Sequence, residues 1–127
     1  MTQTYVIHID NRVIGYYSLC PGSIERKSAV PRIRKGIAGH AEIPIILLAR
    51  LAVDSENQGK GLGPALLKDA FQRAVNAAVA IAGRAIVVHA IDDDAVRFYE
   101  HFDFSPSPND DRTLMILMKD VKAMLGA

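Results

Sequence analysis

The sequence predicts an α/β protein of the α+β kind, with a mixed, mostly antiparallel central sheet that contains one parallel βαβ step. Three observations carry this reading. Two β-rich runs, residues 4–9 and 12–19, are joined by Asp10-Asn11, a pair that favours the tight turn of an antiparallel hairpin. A nearly continuous apolar run, residues 44–53, enters a glycine-rich loop and then a long stretch of helical periodicity. A second run rich in Ile and Val, residues 84–91, follows that stretch, and strand, helix and strand in succession close into a parallel pair. At 127 residues the chain reads as one domain, residues 1–127, able to bury roughly two thirds of its unfolded surface.

After the hairpin, Pro21, Gly22, Pro31, Gly36, Gly39 and Pro44 argue against regular structure in residues 20–44. This loop holds the densest basic patch, Arg26, Lys27, Arg32, Arg34 and Lys35, which suits either a polyanion such as RNA or plain solvation. The run 44–53 has the composition of a central strand covered on both faces. From Leu62 onward, Leu62, Leu66, Ala70, Ala74, Ala78 and Ala82 form an i, i+4 stripe, widened by Phe71, Val75 and Ile81. Pro64 fits the first turn and Gly83 the stop, which gives an amphipathic helix of about five turns. Asp92, Asp93 and Asp94 favour the start of a second, short helix whose inner face is Ala95, Phe98, Tyr99 and Phe102. A loop rich in Ser and Pro, residues 105–110, leads to a last strand, 113–118, and residues 120–125 form a closing helical turn.

The loop between the apolar run and the long helix has the chemistry of an anion cradle. Gly59, Gly61 and Gly63 remove side chains where backbone amides approach an anion, and the first helical turn adds unpaired N–H groups and the positive end of the dipole. A nucleoside-triphosphate loop needs Ser or Thr after its lysine, and Lys60 is followed by Gly61. A dinucleotide fingerprint starting at Gly59 needs glycine where Pro64 stands, and residues 79–83 offer no acid for a ribose. What remains is Gln58-x-x-Gly61-x-Gly63.

Composition removes several classes. No apolar run approaches the ~18 residues of a membrane span, and the Met1-Thr2-Gln3-Thr4 start lacks a signal-peptide pattern, so a cytoplasmic protein is expected. Cys20 is the only cysteine, which excludes an internal disulfide and a thiolate metal site. Charge is uneven: residues 1–53 carry seven basic and three acidic side chains, residues 54–127 eight and eleven, so the two halves differ in sign.

Gln58-x-x-Gly61-x-Gly63 resembles the Gln/Arg-x-x-Gly-x-Gly/Ala loop that holds the coenzyme pyrophosphate in the GNAT N-acetyltransferases. Asp92-Asp93-Asp94-Ala95-Val96-Arg97-Phe98-Tyr99-Glu100-His101-Phe102-Asp103-Phe104 resembles the second signature of that family, a short helix with Phe-Tyr-Glu at its centre and an aromatic-flanked turn at its end. The two stand in the family's order and separation, and together they cover most of residues 45–118. Arg50-Leu51-Ala52-Val53-Asp54, Val88-His89-Ala90-Ile91-Asp92 and Arg112-Thr113-Leu114-Met115 are closer still to the acetyltransferase toxins of bacterial toxin–antitoxin pairs. The resemblance implies a GNAT-like fold, acetyl-coenzyme A as donor, aminoacyl-tRNA as the amine acceptor and a ribbon-helix-helix antitoxin as partner. Acetylation of a small amine or a protein N-terminus, and a coenzyme-binding remnant without catalysis, stay open beside it. Two departures accompany the resemblance. The family's opening strand and two helices do not precede the hairpin, so an N-terminally shortened form is expected, with an uncovered apolar sheet face that favours a homo-oligomer. Asp103 stands where the family has Gly, and Asp tolerates a left-handed turn.

Roles for individual residues are carried over with the motifs. The backbone of Gln58, Gly59, Lys60, Gly61, Leu62 and Gly63 would hold the pyrophosphate, with Lys60 adding charge, while Pro64 has no N–H to offer. Leu51, Ala52 and Val53 would pair with the pantetheine arm like an added strand, and the Val53 N–H would face the developing oxyanion. Phe98 would line the coenzyme site and Tyr99 would be the general acid, although from its type alone Tyr99 beside Phe98 reads first as a core aromatic. An aminoacyl amine, with a reference pKa of ~8, needs no strong base. His8, His40, His89 and His101 lack metal-ligand spacing, and His89 in its Val-rich strand reads as structural. Cys20 has no neighbour to activate it, Ser23 and Ser55 have no triad partners, and capping accounts for Asp92, Asp93 and Asp94 without an ion, so no metal is expected. Arg50 is left open between orienting the acceptor and pairing with a carboxylate.

Overall fold

The computed structural model describes residues 2–35, 42–54, 59–81 and 83–126. Its strands are β1 (Gln3–Ile9), β2 (Arg12–Ile24), β3 (Ile43–Val53), β4 (Ala85–His89), β5 (Ser105–Ser107) and β6 (Asp110–Leu117). They form one sheet in the order β1-β2-β3-β4-β6-β5, in which only β3 and β4 run parallel. The helices are α1 (Pro31–Arg34), α2 (Leu62–Ile81), α3 (Asp93–His101) and α4 (Met118–Met124), with a 3-10 turn at Arg26–Ser28. The mixed sheet with one parallel step is the architecture the pattern of apolar runs implies.

The sheet is buried on both sides, as its unbroken apolar strands require. On one side Tyr17, Leu19, Ile46, Leu48, Ile86 and Val88 pack against Leu66, Leu67, Ala70, Phe71 and Ala74 of α2, together with Tyr99 of α3 and Val121 of α4. The alanines of α2 keep the helix close to the sheet. At the point of closest approach β2 carries Gly15, where an added Cβ would stand 2.9 Å from Leu66 Cδ1. On the other side Ile43, Ile45, Ala85, Val87, Met115 and Leu117 pack against Ala29 and Ile33. The outer hairpin is less well covered: Val6 and Tyr16, register partners on the face away from α2, are 47% and 38% exposed.

Local signals place several boundaries. Asp10 and Asn11 both take positive φ, 52° and 65°, as the two-residue hairpin turn requires. Asp92 caps α3 by accepting a hydrogen bond from the Ala95 N–H at 2.8 Å. Asp103 sits at φ 72°, a left-handed turn that Asp tolerates better than most residues.

The segment read as an irregular loop departs most from expectation. β2 runs through Pro21 and Gly22 to Ile24, because β1 ends opposite Leu19 and a strand paired on one side tolerates proline. Arg26 and Lys27 lie on the 3-10 turn, and Pro31, at the N-terminus of α1, starts a single helical turn carrying Arg32 and Arg34. The buried Ala29 and Ile33 supply the reason, since they turn this turn-rich segment into a cover for the sheet. The loop predicted at residues 105–110 contains the three-residue edge strand β5, and Pro106 is tolerated at that edge. The closing turn is the helix α4, which begins at Met118. Gly36, Gly39, His40, Ser55, Gln58 and Ala82 lie outside the described residues.

Candidate active site

The site is made where β3 leaves β4. Their parallel ladder consists of Ile46↔Ile86, Leu47↔Val87 and Leu48↔Val88, and beyond it β3 runs on to Val53 with no β4 partner. The cause is local. Between the pairs Ser18↔Ala49 and Tyr16↔Ala52, Arg50 and Leu51 on β3 face Tyr17 alone on β2, so β3 carries a bulge. Arg50 takes the left-handed conformation there, φ 58°, and a bulge bends its strand and increases its twist. The end of β3 stays fastened to β2 through Gly15↔Val53 and the Asp54 N–H, which donates to the Ile14 carbonyl at 2.7 Å.

A groove of about 590 Å³ opens in the resulting fork. Leu51, Ala52 and Val53 form one wall, Gly59, Gly61, Gly63 and Pro64 the end over α2, and Ile91 with Phe98 the other wall. Gly59 and Gly61 have φ of 82° and 76°, and no atom of the described residues lies within 4 Å of where a Cβ would project. Glycine is therefore required here by backbone conformation, and the space above it is open to a ligand. Gly63 sits at normal φ against the Phe98 ring, 3.5 Å from an added Cβ, so the glycine loop and α3 meet at that contact.

Of the residues singled out in the sequence, Leu51, Ala52, Val53, Gly59, Gly61, Gly63 and Phe98 line this one groove. Lys60 is exposed beside it in the loop, and Leu62 begins α2. Tyr99 is one residue behind the lining, 7% exposed, with its ring 5.2 Å from those of Phe98 and Phe104 in edge-on contacts. Burial pushes its phenol up to about 12, and no described residue offers its hydroxyl a hydrogen bond. A protonated phenol on a buried ring, with no hydrogen-bond partner among the described residues, is suited to giving a proton to something that arrives in the fork.

Three features escaped the sequence. The bulge at Arg50 carries no glycine to announce it, and positive φ at Arg is uncommon. Arg112 on β6 reaches over the end of β4, donating from Nη1 to the Ile91 carbonyl at 3.0 Å and from Nη2 to Asp93 at 3.3 Å, and so ties the groove wall to α3. His89 bonds through Nδ1 to Thr113 Oγ1 at 3.1 Å. Its position directly before Ala90-Ile91 in a strand that ends at the fork was the available signal.

Residues 2–106 match the acetyltransferase (GNAT) domain family. The chain belongs to that family and is an acetyltransferase. It is 48% identical over 125 residues to the tRNA-acetylating toxin of Mycobacterium tuberculosis, an alignment that spans 98% of this chain and 74% of that protein. Among solved structures it resembles AtaT complexed with acetyl-methionyl-tRNAfMet, at TM-score 0.86 and 25% identity over 98% of this chain and 75% of that one. It also resembles AtaTR bound with acetyl-coenzyme A, at TM-score 0.81 and 28% identity over 98% and 74% of the two chains. The groove fits the donor of the family: an open loop of backbone amides over a helix N-terminus for the diphosphate, and the stretch of β3 beyond its ladder with β4, between diverging strands, for an amide-bearing arm.

Proposed function

We propose that the protein is an acetyl-coenzyme A-dependent N-acetyltransferase that acetylates the amino group of aminoacyl-tRNA by direct attack in a ternary complex. The likeness to a tRNA-acetylating toxin along almost the whole chain carries this reading. The glycine loop and the first turn of α2 hold the donor diphosphate, with Lys60 at the rim, and Leu51, Ala52 and Val53 align the acyl arm. Phe98 closes the groove against Gly63, the Val53 backbone faces the carbonyl oxygen and Tyr99 gives a proton to the departing sulfur. Acetyl-coenzyme A supplies the activated thioester, and the protein supplies position, dipoles and the proton.

The acceptor side is basic. Arg26, Lys27, Arg32, Arg34 and Lys35 belong to the segment that covers the sheet face opposite α2. Arg32 is committed to Asp120 and Lys27 lies 3.2 Å from Glu25, whereas Arg34 and Lys35 have no ion-pair partner among the described residues. A protein acting on aminoacyl-tRNA works in the cytoplasm, and no described helix is long and apolar enough to cross a membrane. A ribbon-helix-helix antitoxin is the expected protein partner, and the open hairpin face with Val6 and Tyr16 suits a second copy of the chain.

The test is transfer of labelled acetyl groups to an aminoacyl-tRNA, a free amino-acid amide and a short peptide across a salt series. Preference for the tRNA, falling steeply with salt and less steeply in Arg34→Ala and Lys35→Ala, is expected. Equal, salt-insensitive transfer to the small amines would overturn the acceptor assignment.

A further inference from the structure

His89 is the first residue of β4 beyond its last pairing with β3, at the apex of the fork. Strand alternation fixes its face. Ile86, Val88 and Ala90 belong to the core beneath α2, where Tyr99 also lies, while Ala85 and Val87 belong to the core on the opposite side. The exposed His89 shares the latter side with the basic segment. Tyr99 and His89 thus stand on opposite faces of the same gap, the first behind the coenzyme groove and the second on the basic face.

The hydrogen bonds fix the ring's chemistry. Asp110 accepts from the Arg112 N–H at 2.9 Å and from the Thr113 hydroxyl at 3.0 Å. These two donors hold the Asp110 carboxyl below its usual range, so it is an acceptor only. Thr113 spends its single hydroxyl proton on Asp110, and its oxygen must accept from His89 Nδ1 at 3.1 Å. In the neutral ring the proton is then on Nδ1, and Nε2 is a lone-pair acceptor with no partner among the described residues. The charged groups on the flanking strands are Asp110, Asp111 and Arg112 on β6 and Arg50 at the bulge of β3. The α3 carboxylate nearest in the network, Asp93, is engaged by Arg112.

The geometry points to His89 as the base of the transfer reaction, with Asp110 and Thr113 as positioning residues that present its Nε2 to the acceptor amine. The inference rests on the acceptor reading above. As the amine nitrogen bonds to the thioester carbon, it gives a proton to Nε2. The carbon–sulfur bond breaks, and the sulfur takes the proton of Tyr99. His89 returns its proton to solvent and Tyr99 is reprotonated from it, so the step balances without a further reactant.

The test is the pH dependence of single-turnover acetylation of aminoacyl-tRNA by the unmodified protein, His89→Asn, Thr113→Val and Thr113→Ser. Asn keeps a donor for Thr113 and lacks the base, so coenzyme A affinity by calorimetry and Tm should be unchanged. The expected His89→Asn rate is down about 10²-fold near neutrality. The deficit should shrink toward pH ~9, where solvent takes the proton. Thr113→Val should show a smaller loss of the same pH shape, restored in Thr113→Ser. An undiminished His89→Asn rate, a deficit equal at every pH, or an unchanged Thr113→Val rate would overturn the assignment. Absence of transfer by the unmodified protein would instead overturn the acceptor reading, which keeps the two failures apart.

Discussion

Replacement of Tyr99 by Phe separates chemistry from packing at this site. The ring lies 5.2 Å from both Phe98 and Phe104, and Phe preserves those contacts. The hydroxyl has no hydrogen-bond partner among the described residues, so its removal forfeits none. With the ring contacts kept and no protein hydrogen bond among the described residues lost, the variant should be as stable as the parent. The reaction should respond oppositely. Loss of a general acid lowers the rate about 10²- to 10⁴-fold, which at 1.36 kcal/mol per tenfold is about 3–5 kcal/mol of barrier. Single-turnover transfer at saturating acetyl-coenzyme A gives the rate, and thermal unfolding with calorimetric coenzyme A binding gives the controls. Undiminished turnover would remove Tyr99 from the mechanism. A Tm falling with the rate would mean that the hydroxyl is structural and refute the argument.

The raised phenol also makes stability fall in alkali. Unfolded Tyr99 ionises near pH 10 and the folded residue near about 12, so the protein should lose about 3 kcal/mol between those values. Urea titrations should show a shallower loss in Tyr99→Phe; Tyr17, also raised by burial and by its bond to Asp69, contributes in the same direction. Gly61→Ala must hold φ 76° with a Cβ, at a cost of about 1–2 kcal/mol, and should lose coenzyme A affinity by calorimetry. Gly63→Ala adds only a contact at 3.5 Å in the first turn of α2 and should leave Tm unchanged or higher. Asp92→Ala removes the cap bond to Ala95 and should lower stability by about 1 kcal/mol in denaturant titration, with Tm down about 4 °C.

The parts of the molecule that a period or a cap determines were legible. The long helix followed from its i, i+4 stripe, α3 from three aspartates before an aromatic face, and the glycine loop that lines the groove from glycines at fixed spacing. What could not be read was decided by partners distant in sequence. The turn-rich segment becomes ordered because Ala29 and Ile33 fit against Ile43, Ile45 and Met115, and no local pattern marks that fit. The fork depends on a bulge whose left-handed residue is an arginine, so the usual glycine signal is missing. The hydrogen bonding of His89 could not be read either, because the Thr113 hydroxyl it meets and the Asp110 carboxylate behind that hydroxyl are contributed by β6 more than twenty positions later in the chain.

The central claim is that the diverging end of β3 and the glycine loop together grip the acetyl donor. Amide hydrogen exchange with and without acetyl-coenzyme A tests it most directly. Protection confined to residues 51–53 and to the amides of 59–63, lost in Gly61→Ala, is the predicted result. Unchanged exchange in both stretches under saturating donor, or protection concentrated elsewhere on the sheet, would contradict it.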